Sequence, residues 1–159
     1  MTAKRRYIYD WPRPMVSADA VVFAFLRGSF RVLLIKRRNQ PFKGQWAIPG
    51  GFVGLDEELE DAAQRELREE TGLAGVELQQ LHTFGKCGRD PRGRQITIVF
   101  AGIAQKCAAK IRAGDDAAEA RWFGIDKLPD NLAFDHDEVL KYAISRLKRK
   151  KIYRNSAGV

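Results

Sequence analysis

Asp56-Glu-Glu-Leu59-Glu-Asp-Ala62-Ala63-Gln-Arg65-Glu66-Leu67-Arg-Glu69-Glu70-Thr71-Gly72 is the stretch of this 159-residue chain that decides how the rest is read. Its spacing predicts a helix over Asp56–Thr71. Asp56 is the expected N-cap, and Gly72 suits a left-handed stop. On a wheel of about 100° per residue, Leu59, Ala62, Ala63 and Leu67 share one arc. Glu66 and Glu70 fall inside that arc and Glu69 at its edge. Glu58, Glu60, Asp61, Gln64, Arg65 and Arg68 point the other way. At least two carboxylates therefore project from the face that should dock on the remainder of the fold.

Such a face is costly, because carboxylates at i and i+4 repel and burial penalises their ionisation. Pairing with Arg65 or another arginine, protonation of one acid, or a bound cation would each relieve it. The turn expected at Pro49-Gly50-Gly51 lies just upstream and can offer backbone carbonyls. Carboxylates and carbonyls make an all-oxygen set, which suits Mg²⁺ or Mn²⁺ and disfavours zinc. The charge distribution agrees. The chain is +8 overall, yet residues 56–70 hold eight acids against two arginines. That island is −6, and the remainder is +14. A basic excess favours an anionic partner. Because it surrounds an acidic island, a small anion carried to a bound cation fits better than a long nucleic acid.

Outward from the helix, Val16–Leu26 and Phe30–Ile35 are expected as an antiparallel hairpin around Arg27-Gly28-Ser29. Residues 37–44 read as a loop and Trp46–Ile48 as a short extended piece. Further strands are expected at Val76–Phe84, Gln95–Ala104 and Glu119–Gly124. A second helix fits Asp135–Lys150, with Asp135-His-Asp-Glu138 resembling a capping box. Strands and helices in this order predict an α/β fold, a mixed central sheet flanked by helices. At 159 residues, 45% hydrophobic and 30% charged, the expectation is one domain over 1–159, with an N-terminal arm at 1–15 and a basic tail at 146–159. No run approaches the length of an apolar transmembrane helix, so no membrane partner is expected. Cys87 and Cys107 form no metal or disulfide pattern, and a reducing cytoplasm is the default compartment.

The residues also match a known pattern. Gly51, then Glu57 after five residues, Arg65-Glu66-Leu67 after seven, Glu69-Glu70 after one and Gly72-Leu73 after one more fill all nine specified positions of a Nudix box. A chance match in a chain this long is on the order of one in ten million. The chain thus resembles the Nudix hydrolases, which implies an α/β/α sandwich. The resemblance implies that Glu66, Glu69 and Glu70 hold the divalent metal with a carbonyl of Gly50 or Gly51. It further implies that Glu57 supports the cluster or reaches a metal through water, and that Arg65 orients the glutamates. The catalytic set it implies is Arg65, Glu66, Glu69 and Glu70. The general base is left open between Glu66 or Glu69 in the box and Asp115, Asp116 or Glu119 on a later segment.

Tyr9-Asp-Trp11-Pro12-Arg13-Pro14, Pro41-Phe42-Lys43-Gly44-Gln-Trp46, Gly88-Arg89-Asp90-Pro91-Arg92-Gly93 and Leu132-Ala-Phe134-Asp135-His136 resemble the ADP-ribose pyrophosphatase branch. That branch implies hydrolysis of ADP-ribose to AMP and ribose 5-phosphate, and a homodimer. Arg37, Arg89, Arg92 and Arg94 are candidates for the diphosphate, since a guanidinium binds it by paired hydrogen bonds. Trp11, Phe42 and Trp46 are candidates to stack on the base. His136 is expected to serve the helix start. Two alternatives accompany this reading: another substrate (a dinucleotide, an oxidised nucleoside triphosphate or a nucleotide sugar), and a non-catalytic module that senses ADP-ribose. In the sensors box glutamates are often lost, and here all are present.

Overall fold

The computed structural model describes residues 8–104, 111–114 and 117–149. Strand β1 (Met15–Leu26) turns through Arg27 and Gly28 into β2 (Ser29–Arg37). Both turn residues have positive φ, 53° and 79°, the two-residue geometry whose twist matches an antiparallel pair. The register is Leu26 opposite Ser29 and Phe23 opposite Val32, so the expected hairpin is formed. Then come β3 (Trp46–Ala47), β4 (Gly50–Phe52), α1 (Leu59–Thr71), β5 (Gln79–Phe84), β6 (Gln95–Ile103), β7 (Ala117–Gly124) and α2 (His136–Lys148). The seven strands form one mixed sheet in which β1 lies parallel to β6 and antiparallel to both β2 and β4.

Alternation along β1 splits the core into two layers. Ala18, Ala20, Val22 and Ala24 face α1, packing with Ala62, Ala63 and Leu67. Val21 and Phe23 face α2, packing with Val139, Leu140, Ala143 and Leu147. The result is the expected α/β/α sandwich. None of the described helices is long and apolar enough to cross a membrane.

Four local expectations change. Helix α1 starts at Leu59 with Glu58 as its N-cap, not at Asp56. The Glu57 carboxylate accepts the Gly54 N–H at 2.9 Å, which closes a turn ahead of the helix and delays its first backbone bond to Ala62 N–H on Glu58 O. Gly50 and Gly51 are not a turn but the start of β4, opposite Asp19 and Ala18 of β1. Val76–Leu78 packs into the core without joining a ladder, and Glu77 O passes so close to Gly102 that a Cβ there would lie 2.4 Å away. Helix α2 spans His136–Lys148, and its expected capping box is absent. Asp135 turns its carboxylate to Arg89 and Glu138 to Lys86, so neither caps the backbone.

Candidate active site

Where β1, β4, β6 and the two helices meet, a cavity of about 290 Å³ opens. Its wall carries the carboxylates of Asp19, Glu66, Glu70 and Asp90 and the guanidiniums of Arg37, Arg89 and Arg92. Glu70 is on the buried face of α1, and its Oε2 accepts the Gly50 N–H at 3.0 Å. Burial pushes its carboxyl up to about 8 in spite of that bond, with repulsion from Glu66 and Asp19 adding to the shift. Glu66, one turn earlier, is raised for the same first reason, against the lowering by Arg65. The wheel placed both on this face, and both line the cavity.

Arg65 gathers the remaining box acids. It donates to Glu57 at 2.7 and 3.0 Å, to Glu66 at 2.6 Å, to Glu69 at 3.2 Å and to Phe52 O at 3.1 Å. The bond from Arg65, then that from the Gly54 N–H, holds Glu57 down to about 2, so it is ionised throughout the physiological range. Glu69 is half exposed, and neither it nor Glu57 lines the cavity wall. Pairing with arginine and binding a cation are compatible here. Arg65 holds three acids, Glu57 through Nε and Nη2 and Glu66 and Glu69 through Nη1, while Glu70 and Asp19 have no cation in direct hydrogen-bond contact among the described residues.

The donor set fits a hard divalent ion. The Gly50 and Gly51 backbone lies flush against two carboxylates: a Cβ on Gly50 would come 2.1 Å from Asp19 Oδ1, and one on Gly51 2.3 Å from Glu66 Oε1. Neither glycine has positive φ among the described residues, so space and not backbone freedom requires them. Among the described residues, no three acidic, His or Cys side chains already converge as a finished shell. Arg65 holds its acids in another arrangement, from which an ion would have to recruit them.

Another part of the wall is aromatic and cationic. Phe134 has a φ of 54°, a region that a bulky residue enters at a cost of about 1–3 kcal/mol. Its ring packs edge-on against Phe42 at 4.7 Å, and the guanidiniums of Arg37 and Arg92 lie over it at 5.0 and 5.6 Å. Arg92 also covers the Phe52 ring at 5.0 Å. Asp90 anchors Arg92 through both carboxylate oxygens, at 2.7–3.2 Å. His136 lines the cavity too, but its Nδ1 accepts the Ile48 N–H at 2.9 Å. Burial lowers its pKa to about 3. Its imidazole should show no NMR titration between pH 5 and 8. The stability that neutral His136 contributes is complete above pH 6.5 and should decline as pH falls below it, by about 1.4 kcal/mol per unit.

Several candidates are placed elsewhere. Trp46 is 7% exposed and packs edge-on against Phe123 at 4.6 Å in the α2-side core, outside the cavity wall. Trp11 is 80% exposed on the arm, also away from the wall. Arg94 donates to Gly85 O and does not reach the cavity. Arg89 does line it, but is held at 2.6 and 2.9 Å by Asp135. Glu119 pairs with Arg121 on β7, off the wall. Asp115, Asp116 and Cys107 lie outside the described residues. Reading the sequence missed Ser17, Asp19, Gln95 and Phe52, and named Phe134 only within a stretch resembling the ADP-ribose pyrophosphatase branch. Only Asp19 left a signal, as the one charge inside the run Ala18–Leu26.

Residues 15–143 match the NUDIX domain, which is most of the chain. The chain belongs to the Nudix family. It is 44% identical over 128 residues to an ADP-ribose pyrophosphatase of Methanocaldococcus jannaschii, covering 80% of this chain and 72% of that protein. It is 35% identical over 147 residues to an ADPR-responsive transcriptional repressor of Acinetobacter baylyi, covering 91% of this chain but only 58% of the repressor. Among solved structures, a MutT/nudix family protein from Enterococcus faecalis superposes with a TM-score of 0.83 at 29% identity, over 96% of this chain and 71% of that one. The NUDIX domain of Shewanella oneidensis NrtR, solved with ADP ribose, superposes at 0.77 and 31% identity over 87% and 94%. As a Nudix hydrolase, the chain should be sensitive to any side chain on Gly51. Gly51→Ala must displace the Glu66 carboxylate. Turnover should fall roughly ten- to hundredfold with little change in melting temperature, the size seen when groups that orient metal ligands are disturbed.

Proposed function

We propose that this chain hydrolyses ADP-ribose to AMP and ribose 5-phosphate with Mg²⁺ or Mn²⁺. The observation that carries the reading is the cavity's polarity, with Asp19, Glu66 and Glu70 lining the same space as Arg37, Arg89 and Arg92. Its substrate class is supported by the 44% identical ADP-ribose pyrophosphatase. Glu57, Glu66, Glu69 and Glu70 with a carbonyl of Gly50 or Gly51 would hold the metal. A bound divalent ion polarises phosphoryl oxygens and lowers the pKa of a bound water. Arg65 orients the carboxylates, and Arg37 and Arg92 balance the diphosphate charge from the aromatic wall. The reading includes a cytoplasmic protein that associates as a homodimer. Its arm, with Ile8 89% and Trp11 80% exposed, offers apolar surface to a second copy.

The test is a panel of nucleoside diphosphate derivatives with Mg²⁺, products separated by chromatography, and a chelator control. AMP from ADP-ribose, abolished by the chelator, is expected. Turnover of dinucleotides or nucleotide sugars in its place would move the reading to another Nudix substrate. The repressor relative supports a second reading, a module that senses ADP-ribose. Tight binding of ADP-ribose with no turnover of any panel member would favour it.

A further inference from the structure

The two ring nitrogens of His136 have different surroundings. Nδ1 accepts the Ile48 N–H at 2.9 Å, so in the neutral ring the proton sits on Nε2. Turning the ring over would set a carbon against that buried N–H, which fixes the orientation as well as the tautomer. Burial keeps the ring neutral, with its pKa lowered to about 3. Nε2–H meets no acceptor among the described residues, yet it is not sealed in. The sealed side-chain atoms without a partner belong, among those residues, to Arg31, Gln95 and Arg146. His136 is 5% exposed and forms part of the cavity wall, so Nε2–H opens on the space that Glu66 and Glu70 also line. Phe134 packs against the ring at 5.3 Å and steadies it.

We infer that His136 is a substrate-binding residue whose Nε2–H donates to a non-bridging oxygen of the diphosphate. The inference rests on the proposed ADP-ribose hydrolysis and deepens it. A neutral ring with Nδ1 already engaged can only donate, and phosphoryl oxygens only accept. The surroundings favour an anion. His136 is the first residue of the 13-residue α2, whose N-terminus carries positive partial charge. Arg37 and Arg89 line the same wall, while the neighbouring acids Asp135 and Asp137 are paired with Arg89 and Lys141. Position agrees too. His136 holds the N–H of Ile48, and Glu70 holds that of Gly50 two residues on. Those anchors are no more than about 7 Å apart along the chain. One diphosphate can therefore meet both a cation held by Glu70 and the His136 donor. An imidazolium there would repel that cation, whereas the neutral ring gives direction without charge.

The experiment separates the two nitrogens. In His136→Asn the amide oxygen can replace Nδ1 and keep the Ile48 N–H bonded, while nothing replaces Nε2. The melting temperature should stay near that of the wild type. Calorimetry with Mg²⁺ reads the affinity of two uncleavable ligands, the α,β-methylene analogues of ADP-ribose and of ADP. Both should bind His136→Asn more weakly by on the order of tenfold or more, the size of a lost hydrogen bond to a charged group. Unchanged affinity for both would overturn the inference while leaving ADP-ribose hydrolysis standing. A loss confined to the ADP-ribose analogue would also overturn it, by moving the contact to the distal sugar. If His136→Asn does not fold, NMR of the wild type decides. Its Nε2–H resonance should move downfield and exchange more slowly with water on saturation with the ADP-ribose analogue, and an unmoved resonance overturns the inference. A chain that neither binds that analogue nor turns over ADP-ribose overturns the proposed function and this inference together.

Discussion

Glu70→Gln is expected to lower turnover on the order of a thousandfold while raising the melting temperature of the metal-free chain above pH 7. The activity loss follows from removing a charged oxygen from the carboxylate set, an effect comparable with deleting a main electrostatic group in other active sites. The stability change follows from burial. Glu70 shifts from 4.5 to about 8 on folding, so the folded chain holds a proton that the unfolded chain releases. Its contribution is complete below pH 4.5 and is lost as pH rises toward 8. Asp19, pushed to about 6 by burial, adds to the same trend and is coupled to it. The amide of Gln keeps an oxygen for the Gly50 N–H and carries no charge to desolvate. Thermal melts from pH 5 to 9 in chelator should therefore fall for the wild type and flatten for the variant. Added Mg²⁺ should raise the wild-type melting temperature and leave that of the variant nearly unmoved. Near-normal turnover in Glu70→Gln would refute the metal assignment.

Arg89→Met is expected to destabilise the fold by about 3–5 kcal/mol, the usual result when one member of a buried ion pair is removed. The side chains of Arg89 and Asp135 are 4% and 11% exposed, and two hydrogen bonds join them. Without Arg89, the Asp135 carboxylate is left in the interior at the start of α2, next to the residue that holds Ile48. For a chain of this size the melting temperature should drop by roughly ten degrees. The double variant Arg89→Met with Asp135→Leu should regain most of that, since no charge is then stranded. The same pair decides whether Arg89 also touches diphosphate. A double variant that is stable but has a raised KM for ADP-ribose would show a contact with substrate. One with an ordinary KM would confine Arg89 to the ion pair.

The helix-wheel argument reached the site because it needed only spacing within one element. Glu66 and Glu70 are four residues apart, and α1 does turn both toward the cavity. Two apolar runs around Arg27-Gly28-Ser29 likewise exposed the hairpin. Trp46 shows the limit. An aromatic on a short strand reads alike whether it faces core or cavity, and the β2–β3 pairing turned it to the core. Arg89 shows another. A loop arginine is equally able to meet a phosphate or a carboxylate, and Asp135 lies 46 positions away.

By itself the sequence determined the family, the sheet flanked by helices, and the row of acids on one helical face, because each is written in local spacing. Tertiary structure alone decided that the −6 island is divided. Arg65 takes Glu57, Glu66 and Glu69, while Glu70 is driven inward beside Asp19. It also decided that Ser17, Asp19, Gln95 and Thr97 form one polar ladder. Those pairs join residues 78 apart, and only the parallel register of β1 on β6 brings them together.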